Sequence, residues 1–289
     1  MQTQTCPKGF IYGGVKCAGH GSLVKRLKQK NINFVIRYTK YKGHACVLAM
    51  KYIDSGIHKI MIVGGDGTVN EILRTIKDKP VVLGILPMGT GNDFARSLGL
   101  SMNWKISLQQ ILKEQIKLID LGYINGVPFT NIAGLGFDVE VLKHSLNIKK
   151  IIGGIGAYLI ALISSLINFR EYNIIVENQG TKNKFHANII AIGNGTHYAG
   201  GINITPLAKM NDGLFDICII HDMKIKKFIM LLPRIIAGKH INSPYIQYFK
   251  TQRLNIYSDM PLDVQLDGEL LCKVPIEAFI EKRKLRIYL

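Results

Sequence analysis

A chain of 289 residues, 47 % of them apolar, can bury one large core or two medium ones, and disorder is not indicated. The 37 Lys and Arg against 20 Asp and Glu leave a net charge of +17, which favours a polyanion: nucleic acid, an anionic membrane surface or a phosphorylated substrate. Five scattered cysteines (Cys6, Cys17, Cys46, Cys218, Cys272) form no C-x-x-C pair, which argues against a disulfide framework or a zinc site and for a reducing cytoplasm.

No long apolar stretch with a small-residue cleavage site opens the sequence, so no signal peptide is expected. Residues 22–30 and 43–56 read as helices, with a strand candidate at 33–39 between them. A strand at 59–63 leads into a helix expected to start at Thr68, because Thr68 and Glu71 have the spacing of a capping box. A strand at 81–86 and a helix from about residue 92 repeat the pattern, with Thr90 and Asp93 at the same spacing. This alternation predicts a parallel α/β sheet.

Past residue 122 the character changes. Residues 123–129 are a hairpin signal with Asn125-Gly126 at the turn. Strand candidates follow at 172–177, 185–192, 214–220, 251–257, 262–266 and 274–280, with helices near 153–168 and 224–237. The expected organisation is an α/β nucleotide-binding lobe over 1–122 and a β-rich substrate lobe over 123–280. The segment 151–167 carries no charge but is shorter than the roughly 20 residues a span needs. Its small residues Gly153, Ala157, Ala161 and Ser165 recur every fourth position, which suits a buried helix or one lying in a membrane interface.

Two glycine-threonine loops carry the chemistry. Gly64-Gly65-Asp66-Gly67-Thr68 follows the first parallel strand, and Pro87-Met88-Gly89-Thr90-Gly91-Asn92-Asp93 follows the second. Glycines let a backbone approach a phosphate, and a helix start offers N–H groups to it. Neighbouring loops at the ends of parallel strands face one crevice. The P-loop, G-x-G-x-x-G, G-x-S-x-G and protein-kinase signatures are absent. Asp267-Gly268-Glu269 is either a solvated turn or a source of a general base. The stretch from Pro206 to Leu214 is either a plain turn or a cation loop. Residues 222–253 hold Lys224, Lys226, Lys227, Arg234, Lys239, Lys250 and Arg253 around the apolar Ile225, Phe228, Ile229, Leu232 and Ile236. That pattern fits a solvated helix face or attachment to anionic lipid.

Taken together, Gly64 to Glu71, Leu86 to Arg96, Gly134-Leu135-Gly136-Phe137-Asp138, Pro206 to Asp216, Gly238-Lys239-His240 and Asp267-Gly268-Glu269 resemble the diacylglycerol kinase catalytic-domain family in its bacterial lipid-kinase branch. Sphingosine and ceramide kinases, and more distantly NAD kinases and phosphofructokinases, share the nucleotide loop. The resemblance implies a two-lobed α/β protein, an N-terminal nucleotide-binding lobe and a C-terminal β-sandwich-like lobe, with residues 281–289 returning to the first. It implies that Thr39, Gly65, Asp66, Gly67, Thr68, Val69, Asn70, Glu71 and Thr90 hold ATP. Glu269 would be the general base supported by Asp267, Asp66 and Asp93 would serve a catalytic Mg²⁺, and Lys209, Asp212 and Leu214 a structural one. The family's opening Asn-Pro-x-x-Gly is absent; Gly14, Lys16 and Gly19 of the corresponding 10–19 stretch could serve phosphate instead, or ATP affinity suffers.

The expected activity is ATP- and Mg²⁺-dependent phosphorylation of a membrane-lipid hydroxyl, diacylglycerol first, at the inner face of the membrane through peripheral contact with anionic lipid. A sphingoid base or another lipid alcohol as acceptor, or a catalytically weak nucleotide-binding protein of the membrane surface, are the alternatives. No aromatic-interleaved basic motif supports a nucleic-acid partner. Oligomeric state is open, a homodimer included.

Overall fold

The run Ile60-Met61-Ile62-Val63 has every side chain buried to 2 % exposure or less, the mark of a parallel strand covered on both faces. The computed structural model describes residues 20–31, 33–76, 78–148 and 155–289. The 10–19 stretch with Gly14, Lys16 and Gly19, together with Cys6, Cys17 and Gly153, lies outside them.

The first part of the chain comprises α1 (His20–Gln29), α2 (His44–Asp54), β1 (Lys59–Gly64), α3 (Asp66–Ile76), β2 (Val82–Pro87), α4 (Asp93–Ser97), α5 (Trp104–Ile111) and β3 (Ile116–Ile124). β1 and β2 pair in parallel from Lys59↔Val82 to Gly64↔Pro87. Period-two alternation sends Ile60 and Ile62 toward α2 and α3, where they meet Ala45, Ala49, Ile72 and Leu73. Met61 and Val63 face the other way, into a cluster with Leu23 and Leu27 of α1 and Leu108 and Ile111 of α5.

The remainder comprises β4 (Val127–Phe129), β5 (Ile132–Gly136), α6 (Phe137–Ile148), α7 (Ile155–Ser165), a 3₁₀ turn (Leu166–Asn168), β6 (Tyr172–Asn178), β7 (Thr181–Gly193), β8 (Phe215–His221), α8 (Ile225–Ile236), β9 (Ile246–Thr251), β10 (Arg253–Ser258), β11 (Asp263–Leu266), β12 (Glu269–Lys273) and β13 (Ile276–Tyr288). From β1 the strands run β1-β2-β13-β10-β6-β7-β5-β11-β12, with β3 and β4 branching from β13, and β8 and β9 from β7. This antiparallel part curls around Phe129, Leu135, Ile190, Phe215, Ile217 and Ile276. Helices α6 to α8 cover its outside through Phe137, Leu162, Phe228 and Ile235, with Ala161 and Ser165 of the small-residue stripe fully buried.

β13 belongs to both parts. Ala278 to Ile280 pair with Gly122 to Ile124 of β3, while Arg286 and Ile287 lie parallel to Val82 and Leu83 of β2. A register shift between Glu281 and Leu285, with Arg283 at φ 54°, joins the two halves. Asp120 secures it: one carboxylate oxygen accepts from Arg283 N (2.8 Å) and the other from Gly213 N (2.7 Å).

Three sequence expectations need correction. α3 starts at Asp66, not Thr68, because the Gly65 carbonyl already accepts from Thr68 N (3.1 Å) and Val69 N (3.2 Å). Residues 33–40 form no strand among the described residues, although Phe34 and Ile36 still pack on the α1 cluster. The single strand expected at 251–257 is two, broken at Gln252, because β9 pairs with β8 while β10 pairs with β6 and β13. β13 runs on to Tyr288 as one strand, joining the strand expected at 274–280 to the expected return of 281–289 to the first part. Helices α5 and α6 and strands β5 and β12 were not anticipated, because their apolar runs are short.

Candidate active site

The two glycine loops leave adjacent strand ends and touch. A Cβ placed on Gly89 would lie 2.3 Å from the Gly65 Cα, so neither position accepts a side chain without moving the other loop. Met88 N donates to Gly64 O (3.1 Å), and the Asn92 side chain closes the second loop by accepting from Gly89 N (2.9 Å) and donating to Gly89 O (2.8 Å). The loops border a cleft of about 610 Å³ whose other wall comes from the β-rich part. Asp66, Gly67, Asn70, Thr90 and Asp93 line one side; Asn131, Gly200, Asp267, Gly268 and Glu269 line the other.

Other residues named from the sequence do not line this cleft. Val69 is buried in the core beside Ile72. Glu71 accepts from Gly43 N (2.9 Å), which holds the loop from Thr39 to Gly43 against α3. Thr68 lies in the first turn of α3.

Asp66 and Asp93 form an acidic pair. A Cβ on Gly91 would lie 2.8 Å from Asp66 Oδ2 and 3.5 Å from Asp93 Oδ2, so both carboxylates border one backbone position. Asp66 Oδ1 accepts from Phe94 N (3.1 Å), and Asp93 Oδ2 from Gly200 N (2.7 Å). Asp93 Oδ1 is buried with no hydrogen-bond partner. Burial, reinforced by the charge of Asp66 and opposed by the Gly200 N–H, pushes the Asp93 carboxyl up to about 6. A buried, orphaned carboxylate oxygen beside a second carboxylate fits a hard cation, and Mg²⁺ commonly takes one or two carboxylates plus substrate phosphate.

The opposite wall hangs on Asp267. Its carboxylate accepts from Thr130 N (2.7 Å), Thr130 Oγ1 (3.1 Å), Asn131 N (2.9 Å) and Ile132 N (3.1 Å). Hydrogen bonds to a charged group contribute about 1.5–3 kcal/mol each, so this cluster fixes the β11–β12 turn. Its backbone carbonyl accepts from Asn70 Nδ2 (3.2 Å), which ties α3 to that turn. Glu269 is held from the first lobe by Arg74 on Oε2 and by Lys42 on Oε1 (2.9 Å). Partial burial would raise its carboxyl, but these two cations outweigh it and hold it below the usual carboxylate range.

Sequence reasoning missed a polar clasp between the lobes. Ser97 Oγ donates to Asn131 Oδ1 (2.7 Å) and accepts from Thr196 N (2.9 Å) and His197 N (3.2 Å). Sequence reasoning placed Asp138 within a motif but gave it no role; the residue is buried beneath the cleft residue Gln265 with Oδ1 unpartnered. Burial pushes that carboxyl up to about 7. Between the ordinary carboxylate range and that pH the folded protein keeps a proton that the unfolded chain releases, so this group costs stability as pH rises. Asp138→Asn removes the titration. Its melting temperature relative to wild type is expected to climb between pH 4 and pH 8 by at least about 2–4 °C, the shift that ~1 kcal/mol makes in a chain of this size. A difference that stays flat with pH would locate the proton elsewhere.

The turn after Pro206 does not present an open cation site. Asp212 Oδ2 pairs with Lys250 Nζ (2.8 Å), and Asp212 Oδ1 accepts from Leu214 N (3.1 Å). The same ammonium lies 3.1 Å from Asp216 Oδ2, and the Lys209 carbonyl accepts from Asp212 N (3.4 Å). A single internal ammonium is therefore shared by the two acids of this turn. Among the described residues no group of three or more His, Cys, Asp or Glu is placed to hold a metal.

Lys250 is consequently not part of a free basic face. On α8, Lys224, Lys226, Lys227 and Arg234 are exposed, and so are Ile225, Ile229 and Met230, while Phe228 and Ile235 are buried. No helix among the described residues is long and apolar enough to cross a membrane.

Residues 16–124 match the diacylglycerol kinase catalytic domain, and residues 131–289 match the YegS C-terminal NAD kinase beta sandwich-like domain. A diacylglycerol kinase of Mycobacterium tuberculosis is 30 % identical over 274 residues, covering 92 % of this chain and 87 % of that one. The crystal structure of a diacylglycerol kinase from Bacillus anthracis superposes with a TM-score of 0.75 at 23 % identity, over 97 % of this chain and 96 % of the other. An NAD kinase from Archaeoglobus fulgidus in complex with ATP shares the fold at a TM-score of 0.53 and 13 % identity, over 97 % and 93 % of the two chains.

Proposed function

Because the chain belongs to the diacylglycerol kinase family and is a kinase, we propose that it transfers phosphate from ATP to a hydroxyl of a membrane lipid, diacylglycerol in the first instance. One observation supports this above the others: two glycine loops, the Asp66–Asp93 pair and the Asp267–Glu269 turn converge on a single cleft.

In this reading the Gly65–Gly67 loop that opens α3 and the Thr90 loop cradle the phosphates of ATP, with Asn70 beside them and Thr39 on the segment pinned by Glu71, while Thr68, Val69 and Glu71 support the loop from behind. Asp66 and Asp93 would hold Mg²⁺, which when bound neutralises phosphate charge. Glu269 takes the proton of the lipid hydroxyl as that oxygen bonds to the γ-phosphorus and the bond to the leaving ADP oxygen breaks. In a loose transition state the hydroxyl proton becomes acidic only late, so a carboxylate of low basicity is adequate. Asp267 keeps the turn, and with it Glu269, in place. Labelled ATP incubated with a total lipid extract, followed by separation of the products, tests the reading. A phosphorylated diacylglycerol supports it; label in no lipid would count against it.

Peripheral attachment to anionic membrane is the companion inference, supported by the exposed cations and apolar side chains of α8. Each Lys or Arg near such a surface contributes on the order of 1 kcal/mol, within a Debye length of about 8–10 Å. Replacing Lys224, Lys226 and Lys227 by Gln is expected to weaken vesicle binding and slow turnover on bilayer substrate. Turnover on a short-chain lipid in neutral detergent is expected to be spared. Salt-independent binding, or equal loss on both substrates, would make this face a solvated surface only.

A further inference from the structure

Both oxygens of Glu269 are occupied by cations from the opposite lobe, and the two cations differ in kind. Arg74, in the last turn of α3, has only 26 % of its side chain exposed, and its Nε and Nη2 are buried without a partner; its Nη1 donates to Glu269 Oε2. Lys42 is 83 % exposed and reaches Glu269 Oε1 at 2.9 Å. Lys42 stands directly before Gly43, on the segment that Glu71 pins to α3 and that leads from Thr39 into α2. The charged groups around Glu269 are thus Arg74 and Lys42, with Glu71 acting on Lys42.

We propose that Arg74 and Lys42 are positioning residues for Glu269: Arg74 holds the carboxylate throughout, and Lys42 holds it only until a nucleotide phosphate takes the ammonium. This rests on the role proposed for Glu269. A half-buried guanidinium with a single partner has nowhere else to go. An exposed ammonium on a flexible stem does, and a phosphate chain of several negative charges outcompetes one carboxylate that Arg74 already neutralises. Release of Lys42 leaves Oε1 open to receive the hydroxyl proton. The base is then uncovered when the phosphoryl donor is present and covered when it is not.

Steady-state kinetics on diacylglycerol in neutral detergent test this, with kcat, KM for ATP and the pH profile measured on Arg74→Met, Arg74→Lys, Lys42→Met and Glu269→Gln. Arg74→Met is expected to lower kcat roughly 10- to 100-fold, the scale of a misplaced reacting group, with KM for ATP little changed. Its acid limb should move to higher pH, because the remaining influences on Glu269 leave its carboxyl less depressed. Arg74→Lys should recover part of both effects. Lys42→Met is expected to raise KM for ATP about 10-fold, the effect of one charged hydrogen bond, while kcat at saturating ATP is retained. An unmoved acid limb in Arg74→Met, or an unchanged KM in Lys42→Met, overturns the inference. Should Arg74→Met unfold, Arg74→Lys and Lys42→Met still decide it. If Glu269→Gln keeps wild-type turnover, the role given to Glu269 fails; if it is inactive while the Arg74 and Lys42 variants behave as wild type, only this inference fails.

Discussion

Glu269→Gln is expected to lower turnover roughly 10²–10⁴-fold, the range in which positioned general bases contribute, while ATP binding stays close to wild type. The substitution keeps the shape of the side chain and the turn that Asp267 anchors. What it removes is the ability to accept the hydroxyl proton. Glu269 borders the cleft but belongs to neither glycine loop, so a fluorescent nucleotide should bind the variant at least as tightly as wild type. The variant also leaves Lys42 and Arg74 without their carboxylate, so its melting temperature should be measured alongside. Wild-type turnover from a folded variant would mean that the base lies elsewhere.

The second large effect is expected at Asp66. Asp66→Ala removes one of two carboxylates bordering Gly91 and should reduce kcat/KM for ATP on the order of 10²-fold or more, the scale seen when a charge-stabilising group is lost from a transferring phosphate. It should also raise the Mg²⁺ concentration needed for half-maximal nucleotide binding, a readout that does not depend on turnover. Asp66 Oδ1 additionally accepts from Phe94 N. Asp66→Asn keeps that acceptor and separates the loss of charge from the loss of the loop contact. An unchanged Mg²⁺ requirement in both variants would remove Asp66 from the cation site.

The parallel core was legible because Ile60 to Val63 and Val81 to Leu86 are short apolar runs, each followed within three residues by a glycine loop. Such runs have few other stable placements. The loops were legible because glycine repeated within a short loop has a backbone meaning before any partner is known. The partners themselves were not legible. Arg74 lies in no motif of the sequence, and only the fold brings it to a carboxylate 195 positions away. Ser97 meets Asn131 and Thr196 only through the docking of the two lobes. Lys250, counted with the basic stretch, turns inward to Asp212 because β9 lies beside β8. Each of these depends on non-local pairing that no local pattern encodes. The start of α3 was misplaced for the opposite reason: Thr68 and Glu71 carry a genuine capping signal, but Gly65 O takes the first N–H groups and Glu71 is drawn to Gly43.

β13 also sets an order of events during synthesis. Residues 286 and 287 lie against β2, and 285 to 288 against β3, so strands translated early wait for partners translated much later. While the chain emerges, the inner edge of β2 lacks its neighbour, and β3 has only the short β4 beside it. Unpaired strand edges rich in Val, Ile and Leu are exposed to misassociation until their long-range partner arrives, and contacts so distant in sequence form slowly. A nascent chain arrested at residue 275 is therefore expected to show a protease-sensitive nucleotide lobe, and one that has released residue 289 a resistant lobe. Vulnerability would track ribosome position and chaperone supply rather than the stability of the finished fold.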